Sequence, residues 1–209
     1  MIQKPQHIVL RLFLLHVAAH PLAKRQGGQL VELGGPQTFT VKPLMLSPEI
    51  SDDPESVRAF QRKAGELYRA VQGAVAHSAE LNTRIAHLKA AIRDTPAATE
   101  AEEQALREIE AKLADIGVAL EGDKTVSGRN EPVAWSVSQR AGIVYQRLLD
   151  TRSPVPGLYE ESYAVAASEF EAVLESLKAV SRDLSALEQK LESMGAPWTP
   201  GRAPDWSVD

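Results

Sequence analysis

The side chains able to do chemistry fall into three groups. The first is five histidines, His7, His16, His20, His77 and His87. His16 and His20 have the i,i+4 spacing that would set two metal ligands on one face of a helix, but no third ligand stands nearby and the segment reads better as a strand. His77 and His87 lie beside a helical seam described below and read as solvated. The second group is the paired carboxylates Asp52-Asp53, Glu102-Glu103 and Glu160-Glu161. A glycosidase needs two carboxyls across a cleft, one of them with a raised pKa. These pairs stand at helix starts, where acidic side chains complement the dipole, so capping is the preferred reading. The third group is the turn Gly128-Arg129-Asn130-Glu131-Pro132, followed by Trp135. It is polar and tightly turned, and reads either as a backbone stitch between helices or as a contact surface built from Arg129, Asn130, Glu131 and Trp135.

Other chemistries find no support. The 209 residues include no cysteine, which excludes a disulfide framework, a thiol nucleophile and cysteine-held metals. There is no glycine-rich phosphate loop opening a helix and no Gly-x-Ser-x-Gly elbow. Arg62, Lys63 and Arg69 lack the interleaved aromatics of a nucleic-acid platform. The net charge of −5 offers no general attraction to nucleic acid or anionic lipid. No cofactor is expected.

The charge is uneven. Residues 1–50 carry five Lys/Arg against two Asp/Glu, whereas 51–209 carry eighteen against twenty-six. The change falls near Pro48 and marks a boundary between segments 1–47 and 48–195. Residues 8–15 are apolar apart from Arg11. They resemble a short secretory signal or a strand, and are too short to cross a membrane.

Residues 20–46 read as β-structure. Leu22 to Arg25 and Gln29 to Leu33 flank Gly27-Gly28, a hairpin signal, and Gln37 to Lys42 alternates apolar and polar. Three short strands cannot close a sandwich, so they are expected to be the end of a larger β-domain or a small sheet that leans on the helices behind it.

Beyond residue 50 the pattern is helical. Asp53-Pro54 starts a helix. From there Val57, Phe60, Ala64, Leu67, Val71, Ala74, Ser78, Leu81, Ile85, Leu88 and Ile92 recur at alternating spacings of three and four, the seam of a long packed helix over 54–94. Thr99 and Glu102 form a capping box for a second helix, with Leu106, Ile109, Leu113, Ile116 and Leu120 on its seam and Gly122 at its end. Val137, Ala141, Val144 and Leu148 mark a shorter helix over 136–149. A last long helix over 158–194 carries Tyr163, Ala166, Phe170, Val173, Leu177, Val180, Leu184, Leu187, Leu191 and Met194. The tail 196–209 holds Trp198 and Trp206, which are expected to dock on a surface because each would bury a large apolar area.

Taken together, several stretches resemble the C-terminal region of bacterial exported BNR-repeat, sortilin-like β-propeller proteins, often labelled glycosyl hydrolases. They are Gly35 to Leu44, Phe60 to Lys63, Arg69 to Ala74, Arg84 to Leu88, Arg129 to Pro132 and Asp183 to Arg202. The resemblance implies the order propeller, small β-sandwich, helical region, with the propeller absent from this chain. It implies export to an extracytoplasmic location. The propeller would hold any carbohydrate or peptide site, and the Asp-box repeats are not found here, so no catalytic residue carries over.

The expectation is therefore a mainly α chain: an elongated antiparallel helical bundle of three long helices plus a short one, preceded by a β-sheet remnant. Its expected role is a non-catalytic accessory or protein-interaction module. It would pack against the propeller or β-sandwich domain of a related protein, or self-associate, with no nucleic acid and no membrane insertion. The alternatives are a part of a glycoside hydrolase-like enzyme whose propeller is missing, and a stand-alone coiled-coil adaptor.

Overall fold

The structure, a computed structural model, describes residues 22–26, 29–34, 50–129, 131–201, 203 and 206–207. The chain divides into two compact units, Met1–Pro48 and Glu49–Asp209. In the first, β1 (Leu22–Gln26) and β2 (Gln29–Gly34) pair antiparallel, with Gln26 opposite Gln29 and an irregularity between Leu22 and Ala23. The strand expected over 37–42 and the N-terminal segment lie outside the described residues.

The second unit is mainly helical. Helix α1 spans Pro54–Arg93, a length of about 60 Å at ~1.5 Å per residue. Its N-cap Asp53 accepts from the Ser56 amide, and Pro54 fills the first turn, where no amide is required. Helix α2 (Glu100–Glu121) starts at the Thr99–Glu102 capping box and stops at Gly122, whose φ is +89°. A single turn, α3 (Lys124–Ser127), follows. Ser136 and Gln139 form a second capping box that starts α4 (Val137–Leu148). Helix α5 (Gly157–Ser193) is the other long element, and Gly195 with φ +80° follows it.

The apolar periodicities bury as stripes. Val71, Leu81, Ile85, Leu88 and Ile92 of α1 meet Leu106, Ile109, Leu113, Ile116 and Leu120 of α2 and Leu177, Val180, Leu184, Leu187 and Leu191 of α5 in one core. Each fully buried leucine contributes about 1.5–3 kcal/mol over leaving it in water. A smaller cluster of Ala64, Val144 and Leu148 is covered by Phe60, Val155, Tyr159 and Tyr163. Phe60, Leu67, Tyr163, Val173 and Met194 are half-buried at the margins of the stripes.

Cross-helix contacts fix the directions. Phe60 meets the Tyr163 ring at 5.5 Å, His77 reaches Ser181, and Arg84 reaches Glu188. The separation stays near 104 residues, so α1 and α5 run parallel in constant register. Helix α2 runs against both, with Lys89 on Glu110 and Lys112 on Asp183. Helix α4 follows in the same direction as α2. Gln61 Nε2 donates to the Leu148 and Thr151 carbonyls at 2.6 and 3.0 Å, and Tyr68 stacks on Tyr145 at 4.8 Å. Each of these tyrosines covers a glycine on the other's helix. A side chain at Gly65 would begin 3.4 Å from Tyr145, and one at Gly142 3.6 Å from Tyr68. Helix α4 takes over from α2 alongside α1 and α5 as a fourth packed helix.

Candidate functional site

Acid–base chemistry by a carboxyl at neutral pH needs a pKa raised toward 7. Three carboxyls, Glu102, Asp123 and Glu175, are held the other way. Glu102 is buried at the start of α2. Its carboxylate accepts from Lys190 Nζ at 2.6 Å, from the Thr99 amide at 2.8 Å and from the Thr99 hydroxyl at 2.7 Å. Those donors, Lys190 foremost, lower it to about 2. It is a fixed anion that closes the capping box and ties α2 to the far end of α5. Asp123 is lowered by the Thr125 hydroxyl and by the Thr125 and Val126 amides, and Glu175 by Lys178. Asp53 caps α1, and Glu160 and Glu161 lie exposed on the first turns of α5.

The histidines form no centre. His77 departs from its expected solvated state: its side chain is 39% exposed, with Nδ1 3.4 Å from Glu80 and Nε2 3.4 Å from Ser181. The reason is the parallel register, which brings α5 alongside the flank of the α1 seam. His87 is exposed, and His7, His16 and His20 lie outside the described residues. Among the described residues no three His, Asp or Glu gather as metal ligands.

The 122–135 connection is held by its own backbone. Asp123 caps α3, accepting from the Thr125 and Val126 amides at 2.8 and 3.3 Å. The Gly128 amide returns to the Lys124 carbonyl and that of Glu131 to Val126. Arg129 and Glu131 pair at 3.4 Å with both side chains more than half exposed. Trp135 is 50% exposed, and Asn130 lies outside the described residues. Arg129 and Glu131 therefore stand together on the surface, with Trp135 at the end of the same connection.

The tail corrects an expectation. Trp206 is 81% exposed and Trp198 is more than half exposed, so neither indole is the buried anchor. The small residues dock instead. Ala196 packs on the main core, Thr199 is buried, and Gly201 lies on Arg84. The tail also shares the compact unit of the helices and forms no third body.

Beneath it lies a cluster the apolar pattern conceals. Arg84 Nε donates to Glu188 Oε1 at 3.0 Å, and Nη2 to Glu188 Oε2 and to Ser185 Oγ. Glu188 is buried beside the seam residue Leu187. The hydrogen bond to Glu188 raises the Arg84 pKa further, so the guanidinium stays charged. A two-point pair of this kind is a rigid structural contact. Its sequence signal is faint: a Glu at the edge of an apolar stripe, four residues after Leu184 and three before Leu191.

The surfaces between helices are shallow. One groove between α2 and α5 runs past Lys112, Ile116, Ala119, Ala172, Ser176 and Ala179. A smaller cleft beside Gln61, Arg62, Tyr145 and Leu149 opens at the far end. That end also carries the most exposed aliphatic side chains, Leu149 at 52% and Leu158 at 70%. They flank the α4–α5 turn, where the Ser51 amide donates to the Arg152 carbonyl at 2.9 Å. No helix among the described residues is long and apolar enough to cross a membrane.

Compared with protein-family models, with curated proteins and with solved structures, the chain matches none.

Proposed function

We propose that this chain is a non-catalytic accessory module of an exported propeller-type protein, built as an elongated antiparallel helical bundle that follows the last strands of a β-sandwich. Its partner is a β-domain of such a protein. The observation that carries this reading is the pair Leu149 and Leu158, left 52% and 70% exposed at one end of the helical unit. The same end receives the incoming chain through the Ser51–Arg152 hydrogen bond. Exposed aliphatic side chains grouped at an end mark a protein contact. The lowered carboxyls Glu102, Asp123 and Glu175 suit helix ends and surface ion pairs better than proton transfer.

Light scattering with small-angle scattering on residues 1–209 tests the reading. Without its partner β-domain the wild-type chain self-associates as concentration rises, and a Leu149→Ser, Leu158→Ser double variant stays monomeric with unchanged helicity. A wild-type chain that is monomeric at every concentration rejects the contact face. A discrete dimer unaffected by the double variant means that the long seams pair between chains, as in a stand-alone coiled-coil adaptor.

A further inference from the structure

Helix α5 carries a second apolar row besides the stripe it buries. Leu158, Val165, Ala172, Ala179 and Ala186 recur at a spacing of seven. Leu158 is 70% and Val165 41% exposed, Ala172 and Ala186 are exposed, and Ala179 is half-buried. The three alanines line the shallow surface between α5 and α2. A strict seven-residue repeat is the spacing that keeps a left-handed helix pair in contact along its length. The buried stripe of α5 already serves the other helices, so the outer row is a repeat without a helix to meet it among the described residues.

The rows on either side are polar throughout. Glu161, Ser168, Glu175, Arg182 and Gln189 flank it on one side, and Ser162, Glu169, Ser176, Asp183 and Lys190 on the other. The margins select the occupant. Laid against a reversed copy of itself about Ala172, the row matches large with small: Leu158 meets Ala186, Val165 meets Ala179, and Ala172 meets its own copy. A twofold arrangement also sets each margin against the same margin of the second copy. On one side Glu161 then meets Arg182, and Ser168 meets Glu175. On the other, Glu169, held by Arg140 in its own chain, meets Ser176, and Asp183, held by Lys112, meets Ser162. No like charges face each other in these pairs. A parallel copy would set Glu161 on Glu161 and Arg182 on Arg182, a repulsive pairing.

We infer that this row is the contact face for a second copy of the chain, docked antiparallel along α5 on a twofold axis at Ala172. Alanine at the axis lets the two helices approach closely, and Leu158 and Val165 fill the space above Ala186 and Ala179 of the second copy. The Glu161–Arg182 pairs, one toward each end, fix direction and register more than they add affinity. Leu149 is not part of the row, and the inference does not rest on a β-domain partner.

The chain has no cysteine, so single substitutions report the axis. Full-length Ala172→Cys, with Ala114→Cys on the exposed side of α2 as the control, is treated with a short bismaleimide. Ala172→Cys is expected to link to itself well above the control, and a mixture of Val165→Cys and Ala179→Cys proteins to give the crossed product. Leu149→Ser is expected to keep the Ala172 link, which separates this face from the end contact. By light scattering, Arg182→Glu is expected to weaken the dimer about tenfold, and addition of Glu161→Arg to restore it. Four results overturn the dimer: a chain monomeric at every concentration, self-association without the Ala172 link, a link lost with Leu149→Ser, or an Arg182→Glu defect that Glu161→Arg does not rescue.

Discussion

Arg84 and Glu188, 104 residues apart in the chain, meet through two hydrogen bonds with their side chains 13% and 4% exposed. They join the two longest helices of the unit, α1 and α5, which run parallel. Breaking a buried pair leaves one charge without its partner and costs more than the pair contributes. Arg84→Met or Glu188→Gln alone should therefore destabilise the protein by about 3–5 kcal/mol. The double variant Arg84→Met, Glu188→Leu should cost far less than the two singles together. Urea denaturation of the four proteins checks the cycle.

Glu102 sets an acid limit on stability. Its pKa falls from an ordinary 4.5 to about 2 in the folded chain, first because of Lys190 and then because of Thr99. A lowered carboxyl contributes stability above its unfolded value and loses it as pH falls through the folded one. The contribution should be complete above about pH 4.5 and fade toward pH 2. Glu102→Gln should lower the thermal midpoint at pH 7, and the gap to wild type should close toward pH 2. A gap that persists at pH 2 would show that the Lys190 contact is not its source.

Two seam leucines should differ. Leu177 is 2% exposed in the main core, and Leu67 is half-buried at its margin. An aspartate at 177 has no partner and no water, so Leu177→Asp should abolish helicity by circular dichroism. Leu67→Asp should keep helicity but lower the thermal midpoint. Full helicity in Leu177→Asp would place the seam wrongly.

Glycines separate by conformation. Gly73 and Gly117 lie inside helices with open space where a side chain would stand. Alanine at either should stabilise by about 0.5–1 kcal/mol. Gly122 has φ +89°, where alanine should cost about 1–2 kcal/mol. Thermal melts of the three variants give the signs directly.

Local physics explains which of these features the sequence disclosed. The stripes on α1, α2 and α5 are legible because burial repeats with the helix period, and Leu81, Leu113 and Leu184 follow it without exception. Capping at Thr99–Glu102 is legible because the two residues satisfy each other within one turn, as Ser136 and Gln139 do in the structure. What escaped depends on partners far along the chain. The burial of Glu188 against Arg84, and the Lys190 partner of the capping residue Glu102, depend on helices that meet only in the fold. His77 is half-buried for the same reason. In the tail, apolar size suggests Trp198 and Trp206 as the buried residues, whereas Ala196 and Thr199 are the ones that pack and Gly201 lies on Arg84. The polar turn at Arg129 and Glu131 was found by composition, but its exposure could be known only from the packing around it.

The constant register between α1 and α5 has a kinetic meaning. Helices α1 and α2 are joined by a short turn and can pair as soon as both exist. The α1–α5 contacts each close a loop of about a hundred residues, and such closure is entropically costly and slow compared with local pairing. On a ribosome Arg84 must wait, charged and solvated, until Glu188 has been synthesised and released from the exit tunnel. Docking of the last long helix along α1 is therefore expected to come late in folding, and a variant that weakens it is expected to slow folding.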